Sequence, residues 1–156
     1  MNKFVTSSPI GNLAVEYEGG YVVAVRATKA RASAGKEPFA RDVQKQLKAW
    51  FGGRLQQFDL PFLFPGATDY QVRVWDQITK IPFGATQTYG EIARKIKSGP
   101  RAVGNACRRN NLLLIVPCHR VVAANGLGGF MGDEDGSLVR RKQWLLDHEQ
   151  KILHGH

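Results

Sequence analysis

The sequence predicts an α+β fold: a small N-terminal α/β lobe over residues 1–65, then a helical lobe over residues 66–156 with a helix-turn-helix outline. Three observations predict it. Two apolar stretches flank Glu18-Gly19-Gly20 early in the chain. Pro61 to Ala67, with Pro65-Gly66 inside it, reads as a linker. Beyond it, two capping-box patterns open helices that follow one another closely. The length suits one ordinary domain or two small lobes. A chain of this size buries roughly 68–70% of its unfolded surface, so neither disulfides nor metal are needed for stability.

Leu13 to Tyr17 alternates, Tyr21 to Val25 is apolar and β-branched, and the glycine pair between them makes a hairpin. Ala27 to Lys36 is polar and reads as a loop. Phe39, Val43, Leu47 and Trp50 fall at i, i+4, i+8 and i+11, which predicts an amphipathic helix stopped by Gly52-Gly53. Nothing in this lobe points to chemistry.

In the second lobe, Thr68-Asp69-Tyr70-Gln71 is a capping box, and Tyr70, Val74, Trp75 and Ile78 give its helix an apolar stripe that Ile81-Pro82-Phe83-Gly84 terminates. Thr88-Tyr89-Gly90-Glu91 opens a short helix through Lys97, with Tyr89 in the first turn. Ser98-Gly99-Pro100 breaks the chain, and Arg101 to Arg109 forms another helix. Leu112 to Val116 is a five-residue apolar run, short enough for a buried strand that Pro117 ends. Asn125-Gly126 marks a turn, and Gly128-Gly129 and Asp133 to Gly136 a flexible loop. A last helix is expected from about Ser137 to Leu153. Leu138, Leu145 and Ile152 line one face, and Glu149 falls on the same stripe, so its carboxylate either reaches water or meets an internal partner.

Apolar residues make up 43% of the chain, and no stretch approaches the roughly 18 apolar residues of a membrane span. Met1 to Val5 has no signal-peptide core, so a soluble, cytoplasmic protein is expected. With two cysteines, Cys107 and Cys118, and no secretion signal, free thiols are the expectation; the four histidines match no common zinc spacing. Net charge is +9, and between Ile92 and Met131 there is no Asp or Glu. That stretch carries Arg94, Lys95, Lys97, Arg101, Arg108, Arg109 and Arg120. A one-sign segment suits a polyanion, although a solvated basic face is the plainer alternative. On the helix after Pro100, the small residues Ala102, Gly104 and Ala106 permit either a partner's close approach or tight packing in a core.

Pro117-Cys118-His119-Arg120 carries the chemistry. A cysteine reacts as its thiolate, and an adjacent base or cation supplies that form. Strand neighbours point to opposite faces, so on local features a buried inert cysteine competes with a nucleophile.

The wider set of strings decides between them. Thr88-Tyr89-Gly90-Glu91-Ile92-Ala93, Arg101-Ala102-Val103-Gly104, Arg109-Asn110, PCHRVV from Pro117 to Val122, and Lys142 to Glu149 closely resemble the O6-alkylguanine-DNA alkyltransferases, in order, over roughly Thr68 to Glu149. The resemblance implies a ribonuclease-H-like first lobe and a winged-helix-like second lobe. It implies direct-reversal repair: irreversible, stoichiometric transfer of an alkyl group from O6-alkylguanine to Cys118 after base flipping, with no cofactor and no metal. O4-alkylthymine stays open as a further substrate. The implied partner is double-stranded DNA containing alkylated guanine, bound by a monomer, with cooperativity along DNA open and no membrane.

The resemblance also assigns residues. Cys118 is the acceptor, His119 its base through a water, and Glu149 the group orienting the histidine. Tyr89 donates to the departing guanine, and Asn110 braces the turn before the active-site strand. Arg101 fills the space the flipped base leaves, in the minor groove. Ala102, Gly104, Arg108, Arg109 and Arg120 join it as DNA contacts, and Val121, Phe130 and Met131 line the substrate pocket. Four departures from the family pattern bear on substrate range. Asn111 replaces a usual proline, Phe130 a tyrosine and Met131 a serine, and the loop from Asp133 to Gly136 is longer and more acidic. Cys107 reads as a small packing residue. A damage-binding protein without transfer, a cysteine hydrolase and a sequence-specific regulator are the alternatives.

Overall fold

In the computed structural model, residues 2–124 and 136–155 are described. They form a mixed α+β structure dividing into two units: residues 1–65 with 111–113, and residues 66–110 with 114–156.

In the first unit β1 (Asn2–Thr6), β2 (Leu13–Glu18) and β3 (Tyr21–Ala27) form an antiparallel sheet in that order. The β2–β3 hairpin closes on Gly19 and Gly20, at φ 57° and 81°. Two consecutive positive φ values are what the twist-matched two-residue turn demands and what glycine supplies. β1, which the hairpin signal did not reveal, pairs across β2 with Phe4 opposite Val15 and Val5 opposite Ala14. Its inward side chains are buried, but its first two residues, Asn2 and Lys3, are exposed and blur the alternation. Helix α1 (Pro38–Phe51) buries Ala40, Val43, Leu47 and Trp50, and its half-buried Phe39 meets Tyr17 of β2 at 5.6 Å between rings. The outer edge of β3 is covered: Val22 exchanges backbone bonds with Pro61 and Leu63, and Val25 with Asn111 and Leu113.

The predicted strand from Leu112 to Val116 does not form. All five residues are buried, yet Leu112 and Leu113 pair with β3 only briefly, and Leu114 turns the chain at φ 73°. The apolar run reports burial, which a turn satisfies as well as a strand.

In the second unit α2 (Asp69–Thr79) and, after β4 (Gln87–Thr88), α3 (Tyr89–Ile96) each start with a complete capping box. Thr68 and Gln71 exchange bonds of 3.1 Å; Thr88 and Glu91 bonds of 3.0 and 3.2 Å. Lys97 ends α3 in the left-handed region, Gly99 caps α4 (Pro100–Arg108), and Pro100 occupies the first turn, where its missing N–H costs nothing. Trp75 of α2 donates to Ala106 O at 2.9 Å, and Arg73 to Ile96 O at 2.7 Å, so α2 holds both short helices. A 3₁₀ turn (Cys118–Arg120) leads into β5 (Val121–Val122), which pairs in parallel with β4. α5 (Ser137–His154) buries Lys142, Leu145 and Glu149, whereas Leu138 and Ile152 are only half-buried. The turn at Asn125-Gly126, the glycines 128 and 129, Phe130, Met131 and all of the loop but Gly136 lie outside the described residues.

Candidate active site

The site assembles where the 3₁₀ turn meets α5 and the end of α4. Cys118 opens the turn, its N–H bonded to Val116 O at 2.8 Å, and Arg120 N–H closes it on Pro117 O at 2.9 Å. Cys118 and His119 therefore occupy one tight turn and not a strand, and the alternation argument against their cooperation no longer applies. Asn110, at the end of α4, donates through its side chain to Val116 O at 2.9 Å and to Cys118 Sγ at 3.3 Å. It braces a turn and touches the sulfur with the same amide.

Behind the cysteine lies a buried ionic cluster centred on Glu149. His119 Nε2 lies 2.5 Å from its Oε2; Arg120 Nε donates to both carboxylate oxygens at 3.1 and 3.0 Å, with Nη2 3.0 Å from Oε2. Gly84 N–H donates to Oε1 at 2.7 Å, and Arg120 Nη1 to Ile81 O at 2.8 Å. Gly84 has to be glycine: φ is 86°, and a Cβ would sit 1.9 Å from Leu153 Cδ1. Burial alone would raise the Glu149 pKa, but the bonds from His119 and Arg120 outweigh it and hold the carboxyl below its ordinary range. His119 is pushed down, chiefly by burial, against the pull of Glu149. A neutral imidazole that donates Nε2–H to a carboxylate presents Nδ1 as the proton-accepting nitrogen.

Lys142 is the functional candidate the sequence reading missed. It is fully buried on α5, donates to Val121 O at 2.6 Å, lies 3.5 Å from the Tyr89 hydroxyl and sits over the Tyr89 ring at 5.6 Å. The signal was present: Lys142 stands seven residues before Glu149, on the same helical stripe. Burial lowers its pKa to about 8. Burial likewise leads the rise of Tyr89 to about 12, so the phenol keeps its proton. Cys118 is pushed well above the ordinary thiol range, first by the Cys107 side chain and then by burial, while Asn110 and Lys142 pull it down. The resting acceptor is thus a neutral thiol.

The structure brings together Cys118, His119, Glu149, Asn110 and Tyr89, with buried Val121 supplying the carbonyl that anchors Lys142. On α4, Arg101 and Arg108 are exposed, as is Arg109 just after it; Ala102 and Gly104 are half-buried. A Cβ added at Gly104 would meet nothing within 4 Å, so the fold's own packing does not require a small residue there. Arg120 is a correction. Its guanidinium is buried and bonded to Glu149 and Ile81 O, which removes it from the basic face and makes it part of the site's frame. Phe130 and Met131 lie outside the described residues. Among the described residues no group of three or more His, Cys, Asp or Glu could hold a metal, and no helix is long and apolar enough to cross a membrane.

Comparisons with known proteins agree on one family. Residues 69–151 match the family model for the 6-O-methylguanine DNA methyltransferase DNA-binding domain. The chain is 49% identical over 92 residues to a methylated-DNA–protein-cysteine methyltransferase of Methanosarcina acetivorans, a match spanning 58% of each protein. It is 37% identical over 152 residues to that of Mycobacterium bovis, covering 92% of this chain and 88% of the relative. A crystal structure of Mycobacterium tuberculosis OGT in complex with DNA superposes with a TM-score of 0.84 at 36% identity, covering 97% of this chain and 94% of that one.

Proposed function

The chain belongs to the methylated-DNA–protein-cysteine methyltransferase family, and from that premise we propose that it repairs O6-alkylguanine in duplex DNA by moving the alkyl group onto Cys118. One observation carries the assignment of the acceptor: a side-chain N–H from Asn110 and the charge of Lys142 converge on Cys118, whose neighbour in the turn, His119, is held by Glu149.

The reaction follows from these groups. His119 takes the thiol proton of Cys118 through an intervening water, and Glu149 stabilises the imidazolium that forms. Asn110 and Lys142 stabilise the thiolate, which attacks the alkyl carbon. The carbon–oxygen bond breaks as the carbon–sulfur bond forms, and the guanine leaves with its electron pair. Tyr89, which holds its proton to about pH 12, donates toward the leaving base, with the Lys142 ammonium beside its hydroxyl. The thioether is stable, so each chain acts once.

A thiol this buried reaches guanine only if the nucleotide leaves the stack, at a cost of roughly a few kcal/mol that a damaged pair lowers. Arg101 at the exposed start of α4 is placed to occupy the vacated space, and open Gly104 lets the backbone approach a groove closely. In this reading α3 and α4 form a helix-turn-helix within a winged-helix-like unit, working in the minor groove. That groove's degenerate base code suits a search for damage at any sequence. The first unit is ribonuclease-H-like, and the protein acts as a monomer in the cytoplasm. O4-alkylthymine is a second candidate substrate. Cys118→Ala tests the acceptor: it should bind an O6-methylguanine duplex while transferring nothing, and any residual transfer would move the acceptor elsewhere.

A further inference from the structure

The reaction above uses one of the two thiols in the site and leaves Cys107 unassigned. Both are buried, Cys107 near the end of α4 and Cys118 at the head of the 3₁₀ turn, and their side chains are hydrogen-bonded to each other. Asn110 ties the two positions together: its backbone N–H donates to Cys107 O at 3.2 Å, and its side chain to Cys118 Sγ at 3.3 Å. The chain has no other cysteine. Thiols already in hydrogen-bond contact need only side-chain rotation and a small backbone shift to reach an S–S bond of roughly 2.05 Å.

We propose that Cys107 is a resolving cysteine for Cys118, and that a peroxide converts the pair to a reversible disulfide that shelters the alkyl acceptor from irreversible oxidation. In the first step Cys118 sulfur attacks a peroxide oxygen, the O–O bond breaks, an alcohol or water leaves, and Cys118 becomes a sulfenic acid. In the second, Cys107 sulfur attacks Cys118 sulfur and the S–O bond breaks. The departing hydroxide takes the Cys107 proton and leaves as water. Two thiols are oxidised by two electrons in all, and the peroxide is reduced. Without a neighbour, a sulfenic acid climbs to sulfinic and sulfonic acids, which are not recovered. A protein with one acceptor, used once, loses its function outright by that route. The raised pKa of Cys118 slows the first step, so the pair rests reduced under ordinary thiol poise.

This inference depends on the proposed function for its consequence, and not for the bond. Trypsin cuts after Arg101, Arg108, Arg109 and Arg120, which separates Cys107 on peptide 102–108 from Cys118 on peptide 110–120. The full chain, treated with hydrogen peroxide and digested without reductant, should yield these peptides joined. Transfer from an O6-methylguanine duplex should fall in step with the joined fraction and return on adding dithiothreitol. In Cys107→Ser, Cys118 should run on to sulfinic and sulfonic acids, with transfer lost beyond recovery. The proposal is overturned if wild-type Cys118 reaches those acids with no joined peptide, or if the variant recovers as fully as wild type. Should untreated protein transfer nothing, the functional reading falls, while the joined peptide still decides this one.

Discussion

Replacing Glu149 by Gln isolates what the buried carboxylate does. In the structure its two oxygens receive His119 Nε2, Arg120 Nε and Nη2, and Gly84 N–H. Glutamine keeps the shape, but only one of its two terminal atoms accepts, so about half of these donors lose their partner. More costly, the buried Arg120 charge loses its counter-ion. Breaking a buried pair from one side costs about 3–5 kcal/mol, and Ile81 O, which still holds Arg120, favours the lower end. At roughly 2–4 °C per kcal/mol for a chain of this size, the melting temperature should fall by about 6–20 °C. Urea unfolding followed by circular dichroism measures the free energy directly. Transfer, measured at a temperature where the variant is folded, should slow by about 10²–10⁴-fold, the range of a positioned general base. A stability loss under about 1 kcal/mol would refute the view that Glu149 is the hub of the site. A large stability loss with unchanged transfer would confine it to structure and remove His119 from the chemistry.

Two further perturbations separate the other roles. Arg101→Ala should slow transfer from duplex by at least about ten-fold, or 1.4 kcal/mol, and leave transfer from the free alkylguanine base near wild type; equal losses on both substrates would take Arg101 out of base flipping. Lys142→Met should slow transfer and alter its pH dependence. In wild type the rate climbs with pH as the Cys118 thiolate forms, and the climb should break near pH 8, where Lys142 loses its charge. The variant should show no break there, and a break kept at the same pH would assign it to another group.

What was legible in the sequence was whatever two local signals agreed upon. Thr68 with Gln71 and Thr88 with Glu91 mark helix starts from both ends of a capping box, and Gly19-Gly20 fixes a hairpin that the strands on either side support. Glu149 on the α5 stripe announced an inward carboxylate, though not the crowd of donors around it. The misses are non-local. β1 depends on pairing with β2, Leu112–Val116 is buried in either conformation, and Lys142 is a polar residue whose burial depends on Val121 O and Tyr89, distant in sequence. Arg120 shows the limit of charge counting: a cation in a basic run belongs to the surface only if no buried carboxylate claims it.

The central claim, that Cys118 accepts the alkyl group, is tested most directly by mass. The protein is mixed with a duplex containing O6-methylguanine, and intact and tryptic masses are read. The account predicts one added methyl group per chain, on peptide 110–120 at Cys118, with the DNA restored to guanine. Unmodified protein with unchanged DNA, or a methyl group on peptide 102–108 at Cys107, would contradict it.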